Sequence, residues 1–206
     1  NTSPNPAEHF IISSRDYLKA AGIGQIVGIF HSHPNGESFS ELDKINSNGN
    51  HFISIIYDVK ADKFEEYYPK NEQSKYIGRQ FKIGERDCFS IIRDYYKNEL
   101  NIEINDYFRD SKWFSQTPDL YDKNYSKEGF TKVIEGEVNQ ENIDKIKVND
   151  VLLFRYGKNQ FTDHAAIYIG FGNMLHHARD RNSNIEAFNA PYQKRISFVA
   201  RHKSFV

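Results

Sequence analysis

The sequence predicts an α+β protein in two consecutive regions: a short α/β region, then a helix packed on an antiparallel sheet. Three observations carry that expectation. The lone cysteine, Cys88, stands just ahead of an apolar pattern at helical spacing, Ile92, Tyr95, Tyr96 and Leu100. Short apolar runs bounded by turn residues follow at 151–155, 164–169, 174–178 and 195–201, as expected of a helix followed by an antiparallel meander. Upstream, strand-like runs surround a short helical stretch, and a polar segment without periodicity at 69–75 separates the halves. The expected domains are residues 1–72 and 78–206.

Taken in order, Phe10-Ile11-Ile12 reads as extended and apolar. Ser14 or Asp16 can cap a helix through Tyr17, Leu18 and Ala21, with Gly22 and Gly24 ending it. Residues 25–31 form a buried strand that runs straight into His31-Ser32-His33-Pro34, and 52–58 and 64–68 are further strands. After the cysteine helix, 101–149 is polar and aromatic with weak periodicity, and is expected to hold short helices. Val148-Asn149-Asp150 is a turn into the strand 151–155. The strand 164–169 then turns through 170–173 into 174–178.

Composition narrows the function. Lys and Arg number 27 against 28 Asp and Glu, a formal charge of -1, which argues against a nucleic-acid binder, for which a basic excess is usual. Aromatic residues make up 15% of the chain, enough apolar material for a core. No apolar run reaches the ~18 residues of a transmembrane helix, and no signal-peptide pattern opens the sequence at Asn1. A single cysteine excludes an internal disulfide.

A thiol at a helix start meets the positive end of the peptide dipoles, which favours thiolate. His164 and His176 lie on strands joined by a turn, where a cross-strand pair can form. A slip of one residue would present His177 instead. Cys88 as nucleophile, His164 as base and His176 as the group orienting His164 make a cysteine-hydrolase constellation, with the Cys88 N–H as an oxyanion donor. Upstream, His31 and His33, two apart on a strand, point the same way, and Asp43 follows beyond Ser40. Two imidazoles and a carboxylate with a position left for water describe a catalytic zinc site.

Two families resemble these patterns. Asp87-Cys88 opening a helix, then Asn149 to Phe154, His164-Ala-Ala-Ile-Tyr-Ile-Gly and His176, resembles the papain-like NlpC/P60 cell-wall hydrolases from about Gly78 onward. The resemblance implies Cys88, His164 and His176 as catalytic, although that family usually has Asp-Cys-Ser-Gly where this chain has Asp-Cys-Phe-Ser. His-Ser-His-Pro with Ser-x-x-Asp resembles the JAMM (MPN) metallopeptidases, implying His31, His33 and Asp43 as zinc ligands and Ser40 as oxyanion stabiliser. The general-base Glu of that family has no matching motif here, Glu8 standing in none, so this region is expected to be truncated at its N-terminal side. The two regions in this order are similar to the phage tail assembly protein K family. That resemblance implies a tail-tip peptidoglycan hydrolase cleaving the stem peptide, often between γ-D-glutamate and a diamino acid, with tail-tip proteins as partners. It implies a place in the virion tail tip, with action in the host periplasm or cell wall after synthesis in the host cytoplasm. The alternatives are a zinc isopeptidase acting in tail maturation, an amidase or acyltransferase built on the same three residues, and a catalytically silent tail-tip module.

Overall fold

The computed structural model describes residues 12, 14–24, 26–50, 52–70, 75–110, 112, 119–157 and 161–206. Glu8, Phe10, Ile11 and residues 71–74 of the expected linker lie outside them. The chain forms two compact units, Asn1–Ser74 with Gly170–Gly172, and Lys75–Ile169 with Asn173–Val206.

The first unit contains α1 (Ser14–Ile23), β1 (Gly28–His33), α2 (Glu41–Asn50), β2 (Ile53–Asp58) and β3 (Lys63–Tyr67). The sheet order is β1-β2-β3, with β1 parallel to β2 and β3 antiparallel to it. Parallel neighbours need a crossover, and α2 supplies it. Sequence periodicity gave no sign of α2, because only Leu42 and Ile45 are apolar along it. Its start is instead written in Ser40 and Asp43. Asp43 N–H donates to Ser40 Oγ (3.1 Å) and Ser40 N–H to Asp43 Oδ2 (2.9 Å), a reciprocal capping box. Ile45, Phe52 and Ile56 are buried in the small core of this unit.

The second unit opens with α3 (Cys88–Leu100), followed by α4 (Leu120–Asn124), β4 (Phe130–Glu135), β5 (Val151–Phe154), β6 (His164–Gly170), β7 (Asn173–His176), β8 (Asn184–Ala187), α5 (Ala190–Gln193) and β9 (Ile196–His202). The six strands lie in the order β4-β9-β5-β6-β7-β8. The expected meander is therefore only partly realised. β5 to β8 follow one another, but β9 returns to insert between β4 and β5, antiparallel to both. Asp150 and Arg201 mark that insertion, with the guanidinium donating to both carboxylate oxygens at 2.8 Å.

Every residue of β5, β6 and β7 is buried, so the sheet is covered on both faces. Leu152, Phe154, Ala166, Tyr168, Met174 and Val199 share one core. On the other side Val151, Leu153 and Ala200 border the same apolar cavity as Phe89 and Ile92 of α3. Ile91, Tyr95 and Tyr96 of α3 are at most 1% exposed. An aliphatic side chain buried this fully contributes about 1.5–3 kcal/mol. Tyr95 and Tyr96 satisfy their hydroxyls on Asn149, at the side-chain and main-chain oxygens, which ties the helix to the turn before β5. Asn149 adopts φ +74°, a left-handed conformation that Asn tolerates. Among the described residues, no helix is long and apolar enough to cross a membrane.

Candidate active site

The sequence around Cys88 shapes a rigid helix start. Asp87 is the N-cap of α3, accepting from the backbone N–H groups of Phe89 (3.1 Å) and Ser90 (2.9 Å), while Asp87 N–H donates to Ser90 Oγ (2.7 Å). Ser90, where the NlpC/P60 pattern usually has Gly, thus closes the capping box. The second oxygen of Asp87 accepts from Gly84 N–H (2.7 Å) and from the buried guanidinium of Arg109 (2.8 Å). Gly84 has φ +78°, and a Cβ there would stand 2.4 Å from the Arg109 carbonyl oxygen, so only glycine fits. Arg109 also donates to Asp106 (2.9 Å) and lies 4.6 Å over the Phe89 ring. Burial alone would raise the Asp87 carboxyl, yet Arg109 and the helix start hold it below the usual carboxylate range.

Cys88, the first residue of α3, is 7% exposed. Its Sγ lies 3.2 Å from Tyr121 Oη on α4 and takes a hydrogen bond from the backbone N–H of Ala165, the residue after His164. Asp122, next to Tyr121, accepts from Thr162 N–H (3.0 Å) and Thr162 Oγ1 (3.1 Å), which pins α4 to the entry of β6. Burial, then the Asp87 charge, push the thiol up to about 11, with Tyr121 and the Ala165 amide pulling against them.

His164 opens β6, and its Nε2 lies 3.0 Å from Nδ1 of His176 at the end of β7. The ring that meets His164 is that of His176. His177 stands edge-on to Phe81 with Nε2 3.1 Å from the Arg181 carbonyl, and its buried Nδ1 has no hydrogen-bond partner among the described residues. Burial, reinforced by His176 and His177, draws the His164 imidazole down to about 3. Cys88 and His164 are thus both held in their neutral forms. Among the described residues, the thiol makes its hydrogen bonds to Tyr121 and the Ala165 amide, while the His164 ring bonds to His176.

In the first unit His31 and His33 bring their Nε2 atoms to 2.9 Å of each other, and Asp43 presents Oδ1 3.4 Å from His31 and Oδ2 3.7 Å from His33. One ligand atom from each lies within 4.8 Å of the others. Ligands at ~2.0–2.1 Å from one zinc are separated by about 3.4 Å across a tetrahedral edge, so this set fits a shared divalent cation. Ser40 Oγ donates to Asp43 Oδ2 at 2.6 Å, so its hydroxyl is engaged in the cap of α2.

A helix that starts with cysteine, set against an antiparallel sheet carrying a histidine pair, is the plan of a papain-like hydrolase. The sequence profile of the NlpC/P60 family matches residues 75–202, and the chain belongs to that family. It is 29% identical over 201 residues to the protein named "Tail tip assembly protein K" of Escherichia phage lambda, covering 94% of this chain and 90% of that one. It is 26% identical over 205 residues to the protein of the same name in Escherichia phage N15, covering 98% and 80%. Among solved structures, an NlpC/P60 family protein of Bacillus cereus aligns with a TM-score of 0.38 and 21% identity, over 69% of this chain and 45% of its own. A lipoprotein-like NLP/P60 protein of Staphylococcus aureus aligns at 0.39 and 19%, over 62% of this chain and 38% of its own.

Sequence reasoning did not find Tyr121, Arg109 or Glu186, which touches His176 through space. The first two come from a stretch of weak periodicity, and Glu186 sits on a short strand that the sequence did not reveal. Only three-dimensional convergence assembles them.

Proposed function

We propose that this protein is a phage tail-tip peptidoglycan endopeptidase that cleaves an amide of the stem peptide with Cys88 as nucleophile. The observation that carries the reading is the meeting of the Cys88 helix start with the first peptide of β6, which bears His164 backed by His176. The names of the phage lambda and N15 relatives support a place at the tail tip. By family resemblance the bond joins γ-D-glutamate to a diamino acid, tail-tip proteins are the partners, and the site of action is the host periplasm or cell wall.

Because the thiol sits high and the imidazole low, proton transfer coincides with attack. His164 takes the Cys88 proton as sulfur bonds to the scissile carbonyl carbon. The Cys88 N–H, in the first turn of the helix where backbone donors lack an intrahelical acceptor, donates to the developing oxyanion. The tetrahedral intermediate collapses as His164 returns the proton to the leaving amine, and water then cleaves the thioester with His164 again as base. His176 orients His164 throughout.

A second reading rests on the convergence of His31, His33 and Asp43. Zinc held there would supply a polarised water for amide or isopeptide hydrolysis during tail maturation. Cys88→Ala and His33→Ala, each assayed on purified peptidoglycan sacculi, separate the two. Loss of turnover only in Cys88→Ala supports the cysteine endopeptidase, and loss only in His33→Ala supports the zinc enzyme. A parent protein without activity on sacculi or on tail-tip proteins would overturn both in favour of a silent structural module.

A further inference from the structure

We propose that Glu186, braced by Tyr192, is a positioning residue that sets which ring nitrogens of His176 and His164 carry protons. The inference rests on the Cys88–His164–His176 reading and adds to it a carboxylate that lies beyond the histidine pair. β7 and β8 pair antiparallel with Met174 opposite Glu186 and His176 opposite Asn184. Glu186 is therefore the diagonal neighbour of His176 on the same sheet face, a position from which a long side chain reaches across.

The contacts form one line. Glu186 Oε1 lies 3.6 Å from His176 Nε2. The hydroxyl of Tyr192 donates to Glu186 Oε2. Arg181 approaches Oε1 at 4.0 Å from the loop before β8. Burial would raise the Glu186 carboxyl, but Tyr192, His176 and Arg181 together hold it below the usual range, so it is a carboxylate at neutral pH. Among the described residues, Tyr156 also feels the Glu186 charge, and Arg195 lies 5.2 Å over the Tyr156 ring. The His176 side chain is only 3% exposed and that of Glu186 29%.

Proton positions follow from these partners. An anionic carboxylate 3.6 Å from His176 Nε2 favours the proton on that nitrogen by charge and leaves a lone pair on Nδ1. That lone pair accepts from His164 Nε2–H across 3.0 Å, so Nδ1 of His164 is left unprotonated and free to take the proton of Cys88. Without the carboxylate the opposite arrangement is equally open. His176 Nδ1–H would donate to His164 Nε2, His164 would carry its proton on Nδ1, and that nitrogen could not take the Cys88 proton. When His164 becomes imidazolium during attack, the carboxylate behind His176 also offsets the new charge. In the serine-protease triad, loss of the orienting carboxylate costs roughly 10⁴ in kcat through the wrong tautomer. Here one more ring stands between, and the expected effect is smaller.

The test uses the full chain with Glu186→Leu, Glu186→Gln and Tyr192→Phe. Imidazole ¹⁵N–¹H correlation spectra report the protonated nitrogen of His164 and His176, and iodoacetamide alkylation of Cys88 between pH 6 and 8 reports the base without any substrate. The inference expects both rings as Nε2–H tautomers in the parent. In Glu186→Leu it expects an Nδ1–H population on both rings and at least tenfold slower alkylation. Glu186→Gln, which keeps an acceptor but not the charge, should fall between. Tyr192→Phe should do the same in a fold left undisturbed on the other side of the carboxylate. Tautomers unchanged in folded Glu186→Leu, with alkylation within twofold of the parent, overturn the inference. The hydrolase reading is judged separately by Cys88→Ala on sacculi. Cleavage surviving in Cys88→Ala alongside a tautomer shift in Glu186→Leu refutes the hydrolase and upholds the positioning role.

Discussion

Replacing Arg109 by methionine asks how much of the helix start that carries Cys88 depends on one buried ion pair. The Arg109 side chain is fully buried and that of Asp87 is 4% exposed, with Nε and Oδ2 at 2.8 Å. Removing one member of such a pair leaves the other charge buried and costs about 3–5 kcal/mol. Asp87 would keep its bonds from Phe89, Ser90 and Gly84, which places the expected loss near the lower end, about 3 kcal/mol. The second partner, Asp106, is half exposed and also pairs with Arg93, so its loss adds only ~0–1 kcal/mol. For a unit of this size each kcal/mol moves the melting temperature by roughly 3–5 °C, so the transition of the second unit should fall by roughly 10–15 °C. Calorimetry and urea unfolding by circular dichroism measure it, and Asp87→Asn combined with Arg109→Met should show a coupling of about 2 kcal/mol or more. A loss below about 1 kcal/mol, or additive behaviour in the double variant, would refute the reasoning.

Other predictions follow from the same geometry. Tyr121→Phe removes a hydrogen bond that draws the Cys88 thiol down, so alkylation near pH 8 should slow severalfold; an unchanged or faster rate contradicts the contact. The His164 pKa is lowered from the unfolded value, so its contribution to stability is complete above about pH 6.5 and is lost as the pH falls toward 3, at ~1.4 kcal/mol per pH unit. Cys88 has the opposite sense: its folded pKa is raised, so its stabilisation is complete below about pH 8.5 and is lost as the pH rises toward 11. Urea midpoints across pH should therefore peak between those limits, and Cys88→Ala should flatten only the alkaline side. Asp43→Ala should abolish one equivalent of zinc in equilibrium dialysis and also weaken the cap of α2 by about 0.5–2 kcal/mol, whereas Ser40→Ala should show the cap loss while retaining zinc.

The legible parts were those in which one short stretch states its own structure. Asp87, Cys88 and the spacing of Ile92, Tyr95 and Tyr96 announce a capped helix, and the apolar runs 151–154 and 165–169 announce buried strands. α2 was hidden because its sequence, through Asn46, Ser47, Asn48 and Gly49, has no apolar stripe and is held by its cap and crossover position. β8 was hidden because Asn184 to Ala187 is only four residues long, too short for its polar–apolar alternation to stand out. The partners of the cysteine and histidines were illegible for a different reason. Tyr121 reaches the sulfur from 33 residues away, and Glu186 reaches His176 across a strand pairing that local spacing does not encode.

The late return of β9 into the middle of the sheet bears on when the second unit can finish folding. While the chain is being synthesised, β4 and β5 emerge without their shared neighbour, and the bidentate lock between Asp150 and Arg201 cannot close until residue 201 has left the ribosome. Partial translation products lacking β9 would therefore present unpaired edges on β4 and β5, an opening for strand-to-strand association that closes only when synthesis is nearly finished.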